Sequence, residues 1–297
     1  MTSEELLQKV RKIEIKTRGL SRNIFAGEYH SQFKGRGMAF SEVREYQPGD
    51  DVRSIDWNVT ARMNRPYIKI YEEERELTVM LLIDVSGSRN FGTISQMKRD
   101  TMAEVAATLA FSTIENNDKV GVIFFSDQIE KFIPPKKGKS HVLHIIRELL
   151  SFEPERTGTD INAALQYLTN AQKRRCAAFL ISDLMDPKLV ESRESRVESL
   201  VDPIVIASRK HDLNIIQIYD RRDAELPNVG LLKVRDAETG QRMWIDTALA
   251  STRSAYANAW NKQQGLLEMV YQKTGVNHVS IQTGEDYVKS LMRLFKQ

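Results

Sequence analysis

Five oxygen-bearing side chains, in an order that suits a hard cation, carry the chemistry this sequence offers. Asp84, Ser86 and Ser88 stand at alternate positions in D-V-S-G-S, Thr159 follows in G-T-D-I, and Asp183 closes F-L-I-S-D. Magnesium and manganese take carboxylate, hydroxyl and water oxygens in octahedral geometry. Two carboxylates and three hydroxyls fill five places and leave the sixth for water or a ligand oxygen. Taken singly, each residue reads as a helix cap or a turn residue. The ordered set points to one metal site instead, provided the strands ending at Asp84 and Asp183 are neighbours.

The flanking elements answer that condition. Val79 to Ile83 is an unbroken apolar run, as expected of a strand covered on both faces in a parallel sheet. A helix from about Ser95 to Glu115 follows, with Met97, Met102, Val105, Ala106 and Leu109 inward. Next come a strand Lys119 to Phe125 and a short edge strand at Ile129 to Pro134, ended by two prolines. Helices are expected from about Ser140 to Phe152 and after Asp160. Strand Ala177 to Ser182, a long helix over roughly Leu189 to His211 that could break at Pro203, and strand Asn214 to Tyr219 come after. A hairpin over Leu231 to Ile245 turns at Thr239-Gly240. A helix from about Ser251 to Thr274, a strand His278 to Gln282 and a last helix facing Val288, Leu291, Met292 and Phe295 inward follow. This alternation predicts an α/β fold with a doubly wound, mostly parallel sheet. Ligands of such sheets bind beyond the carboxyl ends of the strands, where Asp84 and Asp183 fall.

Composition narrows the classes. Of 297 residues 41% are hydrophobic and 28% charged, ordinary for a folded globular protein. No apolar run is long enough to span a bilayer, and the first residues are a polar helical pattern from Ser3 to Arg18, so neither signal peptide nor anchor is expected. The single cysteine, Cys176, leaves no internal disulfide and opens a buried strand, so it reads as a core residue. A cytoplasmic protein is expected. The net charge of +3 is too small to imply nucleic acid, although Lys9 to Lys69 holds thirteen Lys and Arg against seven Asp and Glu.

Residues 1–75 differ from the remainder. Gly27, Gly35, Gly37, Pro48, Gly49 and Pro66 punctuate an irregular, β-rich N-terminal segment, with Pro48-Gly49 suited to a type II turn and Tyr67 to Tyr71 alternating as a half-buried strand. Glu72, Glu73, Glu74 and Glu76 read as a solvated bridge into the domain over 76–297. Trp57 and Tyr46 read as packing residues, and Arg44-Glu45 and Asp50-Asp51-x-Arg53 as charged pairs that hold this segment in place.

Asp84-x-Ser86-x-Ser88, Thr159 and Asp183 together resemble the metal-ion-dependent adhesion site of von Willebrand factor A domains. Phe33 to Met38 and Glu42 to Trp57, with V-R-E-Y-Q-P-G-D-D-V-R-S-I-D-W, are similar to the signature of a bacterial family, domain of unknown function 58, whose members carry such a domain. In that family's pattern the loop is Gly-Gly-Thr; here Thr157-Gly158-Thr159 offers two threonines, of which Thr159 matches by its distance to the helix. The resemblance implies one Mg²⁺ or Mn²⁺ held by the five residues. It further implies a non-enzymatic interaction module partnered with a MoxR-type AAA+ ATPase, an adaptor or co-chaperone in protein assembly or maturation. A client would then offer an acidic residue to the metal.

Other classes stay open on the residues alone. Asp84 at a strand end could be a phospho-acceptor or support hydrolysis, but no G-x-S-x-G elbow or Walker A loop is present. A nucleic-acid module would use the basic N-terminal segment with Phe33, Phe40, Tyr46 and Trp57. His30, His141, His144, His211 and His278 show no metal spacing.

Overall fold

The computed structural model describes residues 8, 10–14, 39–72, 77–93, 96–185 and 195–295. The expectations for Ser3, Phe33 to Met38, Glu73 to Glu76, Ser95 and the start of the helix from Leu189 lie outside them. The chain forms two compact units, His30–Leu77 and a larger one made of Met1–Tyr29 with Thr78–Gln297.

In the small unit, β1 (Ala39–Glu45) pairs antiparallel with β2 (Tyr67–Glu72). Between them, α1 (Trp57–Met63) starts at Asp56, whose carboxylate accepts the Asn58 and Val59 N–H groups. The Asp50 N–H returns to the Gln47 carbonyl, and Gly49 at φ 109° takes the place in that turn which a side chain would strain. Arg44 grips Asp50 with both terminal nitrogens, at 2.9 and 2.7 Å. Trp57 is 69% exposed, so the expectation that it packs inward is corrected: it stands at the first turn of α1 on the open side.

The large unit is built on a six-stranded sheet. Its strands in chain order are β3 (Thr78–Asp84), β4 (Lys119–Phe125), β5 (Ile129–Lys136), β6 (Ala177–Ser182), β7 (Asp212–Tyr219) and, after the hairpin strands β8 (Leu231–Arg235) and β9 (Arg242–Asp246), β10 (Asn277–Gln282). Across the sheet they run β10-β7-β6-β3-β4-β5. All neighbours are parallel except β5, which lies antiparallel on the edge beside β4. The doubly wound, mostly parallel sheet is therefore as expected. The hairpin β8–β9 forms a sheet of its own.

Unbroken apolar strands serve two cores at once, because successive side chains leave opposite faces. Met80, Leu82, Ala178 and Leu180 join a cluster with Ile161, Leu165 and Leu168 of α4 (Ile161–Ala171), Ile204 and Ala207 of α5 (Ser195–Lys210), and Leu267 and Val270 of α7 (Ala250–Thr274). Leu81 and Ile83 are just as buried on the other face, the side of α2 (Lys98–Glu115) and α3 (Lys139–Ser151). Each such side chain contributes about 1.5–3 kcal/mol when fully buried. Pro203 stays inside α5 without ending it.

Two inward faces are shifted from expectation. Met97 precedes α2 and is 45% exposed, because the helix begins at Lys98. In α8 (Tyr287–Leu294) Met292 is 36% exposed, while Tyr287, Leu291 and Leu294 are buried with Phe295 just beyond. The stripe that starts at Tyr287 recurs at i+4 and i+7, which turns Met292 about 100° out of it. A short helix α6 (Arg221–Ala224), not foreseen, follows β7.

Candidate metal centre

β3 and β6 lie side by side, Ile83 opposite Ile181, so Asp84 and the Ser182-Asp183 pair emerge together at the carboxyl end of the sheet. β4 flanks β3 on its other side and leads the chain away in the opposite direction. That is the crevice where a doubly wound sheet binds its ligands. The Val85 N–H still reaches the Phe125 carbonyl at 2.8 Å, so the loop after Asp84 leaves the sheet on a fixed course.

Asp84 is buried and takes its hydrogen bonds from neutral donors, the Ser86 N–H at 2.9 Å and the Ser182 hydroxyl at 2.6 Å. Burial, and then the charge of Asp183, push its carboxyl up to about 6. Ser86 and Ser88 bring their hydroxyl oxygens to 3.0 Å from one another. The Gly87 N–H donates to the Thr157 carbonyl at 2.9 Å and ties this loop to the threonine loop. Asp160 caps α4 by accepting the Ala163 N–H, and its own N–H holds the Ser126 carbonyl, which fixes Thr159 one residue earlier. Thr159 is buried whereas Thr157 is exposed.

Two residues at this site were missed in the sequence. Lys98, fully buried at the start of α2, places its ammonium 3.0 Å from Asp183 Oδ2 and 2.8 Å from Asp223 Oδ2. Burial alone would pull that ammonium down, but Asp183 and Asp223 outweigh it and the pKa ends above its ordinary value. A lysine in the first turn of a helix opposes the helix dipole, and that misfit is the one local signal for it. The other missed residue is Glu238, from the turn of the β8–β9 hairpin. Thr159 Oγ1 donates to Glu238 Oε1 at 3.1 Å, and Thr157 Oγ1 donates to the Glu238 carbonyl at 2.7 Å. A Cβ on Gly87 would lie 2.2 Å from the Ala237 carbonyl oxygen, so only glycine lets the turn come so near. Burial, with the charges of Asp183 and Asp84 behind it, pushes the Glu238 carboxyl up to about 7. No local pattern marks this residue; its partners are distant in the chain.

The donor set fits a hard divalent ion. Two buried carboxylates repel one another, and only Asp183 has a cationic hydrogen-bond donor, so a cation between them relieves Asp84 directly. Among the described residues no three His, Cys, Asp or Glu side chains form a metal-holding group. An ion here would therefore rest on Asp84, Asp183 and the hydroxyls of Ser86, Ser88 and Thr159, a set that favours Mg²⁺ or Mn²⁺ over softer metals.

Elsewhere, His141 Nε2 meets the Val120 carbonyl at 2.9 Å and His144 lies on the surface near Glu148. Among the described residues no helix is long and apolar enough to cross a membrane.

The family described as "Protein of unknown function DUF58" matches residues 42–265. An uncharacterized protein of Mycobacterium tuberculosis, Rv1480, is 28% identical over 293 residues, covering 97% of this chain and 88% of its own. The uncharacterized protein YeaD of Bacillus subtilis is 28% identical over 109 residues, 37% of this chain and 25% of its own. Among solved structures, BatB from Bacteroides thetaiotaomicron, a conserved hypothetical protein, aligns with 17% identity and a TM-score of 0.49 over 74% of this chain and 97% of its own. The SpRpn10 VWA domain aligns with 13% identity and a TM-score of 0.39 over 74% of this chain and 94% of its own.

Proposed function

The chain belongs to the DUF58 family, with a von Willebrand factor A-like fold, and from that premise we propose that its large unit is a metal-dependent protein-interaction module without turnover of its own. The observation that carries this reading is the gathering of Asp84, Ser86, Ser88, Thr159 and Asp183 at the sheet's switch point. When bound, Mg²⁺ or Mn²⁺ would supply a positive centre with one position open to an acidic oxygen of a partner.

The chain's own residues set the terms of that contact. Hydroxyl donors from three residues leave the site less negative than a carboxylate cage would. Lys98 takes up the charge of Asp183 and Asp223, so that Asp84 is the carboxylate most in need of an ion. Gly87 and Gly158 lie in the two loops that would adjust when a partner's oxygen arrives.

The partner we propose is a MoxR-type AAA+ ATPase, with this chain as adaptor or co-chaperone in assembly or maturation of a client; the resemblance of the N-terminal signature and the metal residues supports it. Calorimetry tests the metal site: wild type should bind Mg²⁺ or Mn²⁺ saturably, and Asp183→Ala should not. Equal binding by wild type and the double variant Asp84→Ala, Asp183→Ala would refute the site. Association with the cognate ATPase in Mg²⁺, in chelator and with Ser86→Ala then tests whether the ion is the docking point.

A further inference from the structure

We propose that the β8–β9 hairpin is a built-in competitor for the acidic partner, with Glu238 occupying the mouth of the metal site until a partner displaces it. This rests on the metal-site reading above and adds its regulation.

Three contacts seat the hairpin turn on the site's two loops. The Thr159 hydroxyl is spent on the Glu238 carboxylate, the Thr157 hydroxyl on the Glu238 carbonyl, and the Ala237 carbonyl lies over the bare Cα of Gly87. A glutamate side chain is the chemistry an external acidic ligand would bring, and here the chain brings its own. The turn itself is rigid: Asp236 Oδ1 accepts the Glu238 and Thr239 N–H groups and the Thr239 hydroxyl, so Glu238 is presented from a preformed loop.

The arm that carries it is built to come away. Among the described residues β8 and β9 pair only with one another, and two strands without a sheet behind them are marginal alone. Their apolar side chains Leu231, Met243 and Trp244 are largely exposed, so lifting the arm gives up little buried surface. At its base Thr247 bonds the Gly230 carbonyl through both its N–H and its hydroxyl, and its hydroxyl oxygen accepts the Val229 N–H. The base is fixed and the tip rests on hydrogen bonds, as in a latch.

An occupied mouth lowers the apparent affinity of an outside ligand by the fraction of time it is open. The test compares wild type, Glu238→Gln and Thr157→Val, all full length. Mn²⁺ alone is titrated first, with water-proton relaxation reading the water bound to the ion. A short oligoglutamate peptide is then titrated onto the Mn²⁺-loaded proteins, and amide hydrogen exchange of residues 236–240 is followed. Glu238→Gln keeps the Thr157 bond but no longer offers an anion to the site, and should show higher relaxation, faster exchange at the turn and about tenfold tighter peptide binding. Thr157→Val, which keeps the carboxylate, should move the same way by less. Mn²⁺ binding by wild type with relaxation, exchange and peptide affinity unchanged in both variants would overturn the competitor while leaving the metal site standing. Absence of Mn²⁺ binding in every protein would overturn the metal site, and the competitor with it.

Discussion

At the carboxyl ends of β3 and β6, Asp84 and Asp183 lie buried beside Lys98, Asp223 and three hydroxyls. At the amino ends of β6 and β7, Cys176 and His211 are buried as deeply, with Sγ and Nδ1 3.3 Å apart. By residue type the second pair is the more reactive, since a thiol beside an imidazole is a familiar nucleophile. Its surroundings reverse that. Burial, then the Asp212 charge, push the Cys176 thiol up to about 12, and burial, then the Lys210 charge, push His211 down to about 4. Both stay neutral. At the opposite end a buried lysine, Lys98, is brought in to face Asp183 and Asp223. The two ends of this sheet differ in whether their buried groups are given a counter-charge.

Removing the counter-charge should have the largest effect. Lys98→Met leaves Asp183 and Asp223 buried without a cation and is expected to cost about 3–5 kcal/mol in denaturant unfolding. A loss below about 1 kcal/mol would mean the pair was already neutral, like the Cys176 end. Next, saturating Mg²⁺ at a hundred times its dissociation constant should stabilise wild type by about 2.7 kcal/mol. Asp84→Asn should lose that gain and yet be the more stable protein in chelator, because it removes one of two repelling buried carboxylates.

The pH response sharpens the contrast at the other end. His211 is held neutral in the fold down to about 4, whereas in the unfolded chain it protonates below about 6.5. The unfolded state therefore binds more protons between those values, and stability is lost as pH falls through that window while remaining complete above it. Unfolding measured from pH 7 to 4 should show a slope that His211→Phe reduces. The smallest effect is expected of Cys176→Ala, about 1 kcal/mol in stability with no change in Mn²⁺ affinity. Alkylation of Cys176 in the native protein should be slow enough to track unfolding.

The strands were readable because burial on both faces leaves an unbroken apolar run, as in Val79 to Ile83 and Phe179 to Ile181. The meeting of Asp84 with the Ser182-Asp183 pair was readable because the apolar runs of two neighbouring strands stop there. Lys98 escaped because a lysine in the first turn of a helix reads as solvated, and only its clash with the helix dipole hints otherwise. Glu238 escaped for a different reason. The hairpin was expected, including its turn at Thr239-Gly240, but a sheet-free hairpin can swing anywhere along its tether. Its seat is settled by Gly87, Thr157 and Thr159, each at least 79 residues away.

The spacing also sets a schedule. Asp183 is made before Glu238, and 238 minus 183 is 55 residues, roughly 3–11 s of synthesis at about 5–20 residues per second. A nascent chain thus makes Asp84, Thr159 and Asp183 before it owns Glu238, whose carboxylate accepts from Thr159. On our proposal, the site's first encounter with an acidic surface takes place while the ribosome is still at work, and the finished protein is the more discriminating binder.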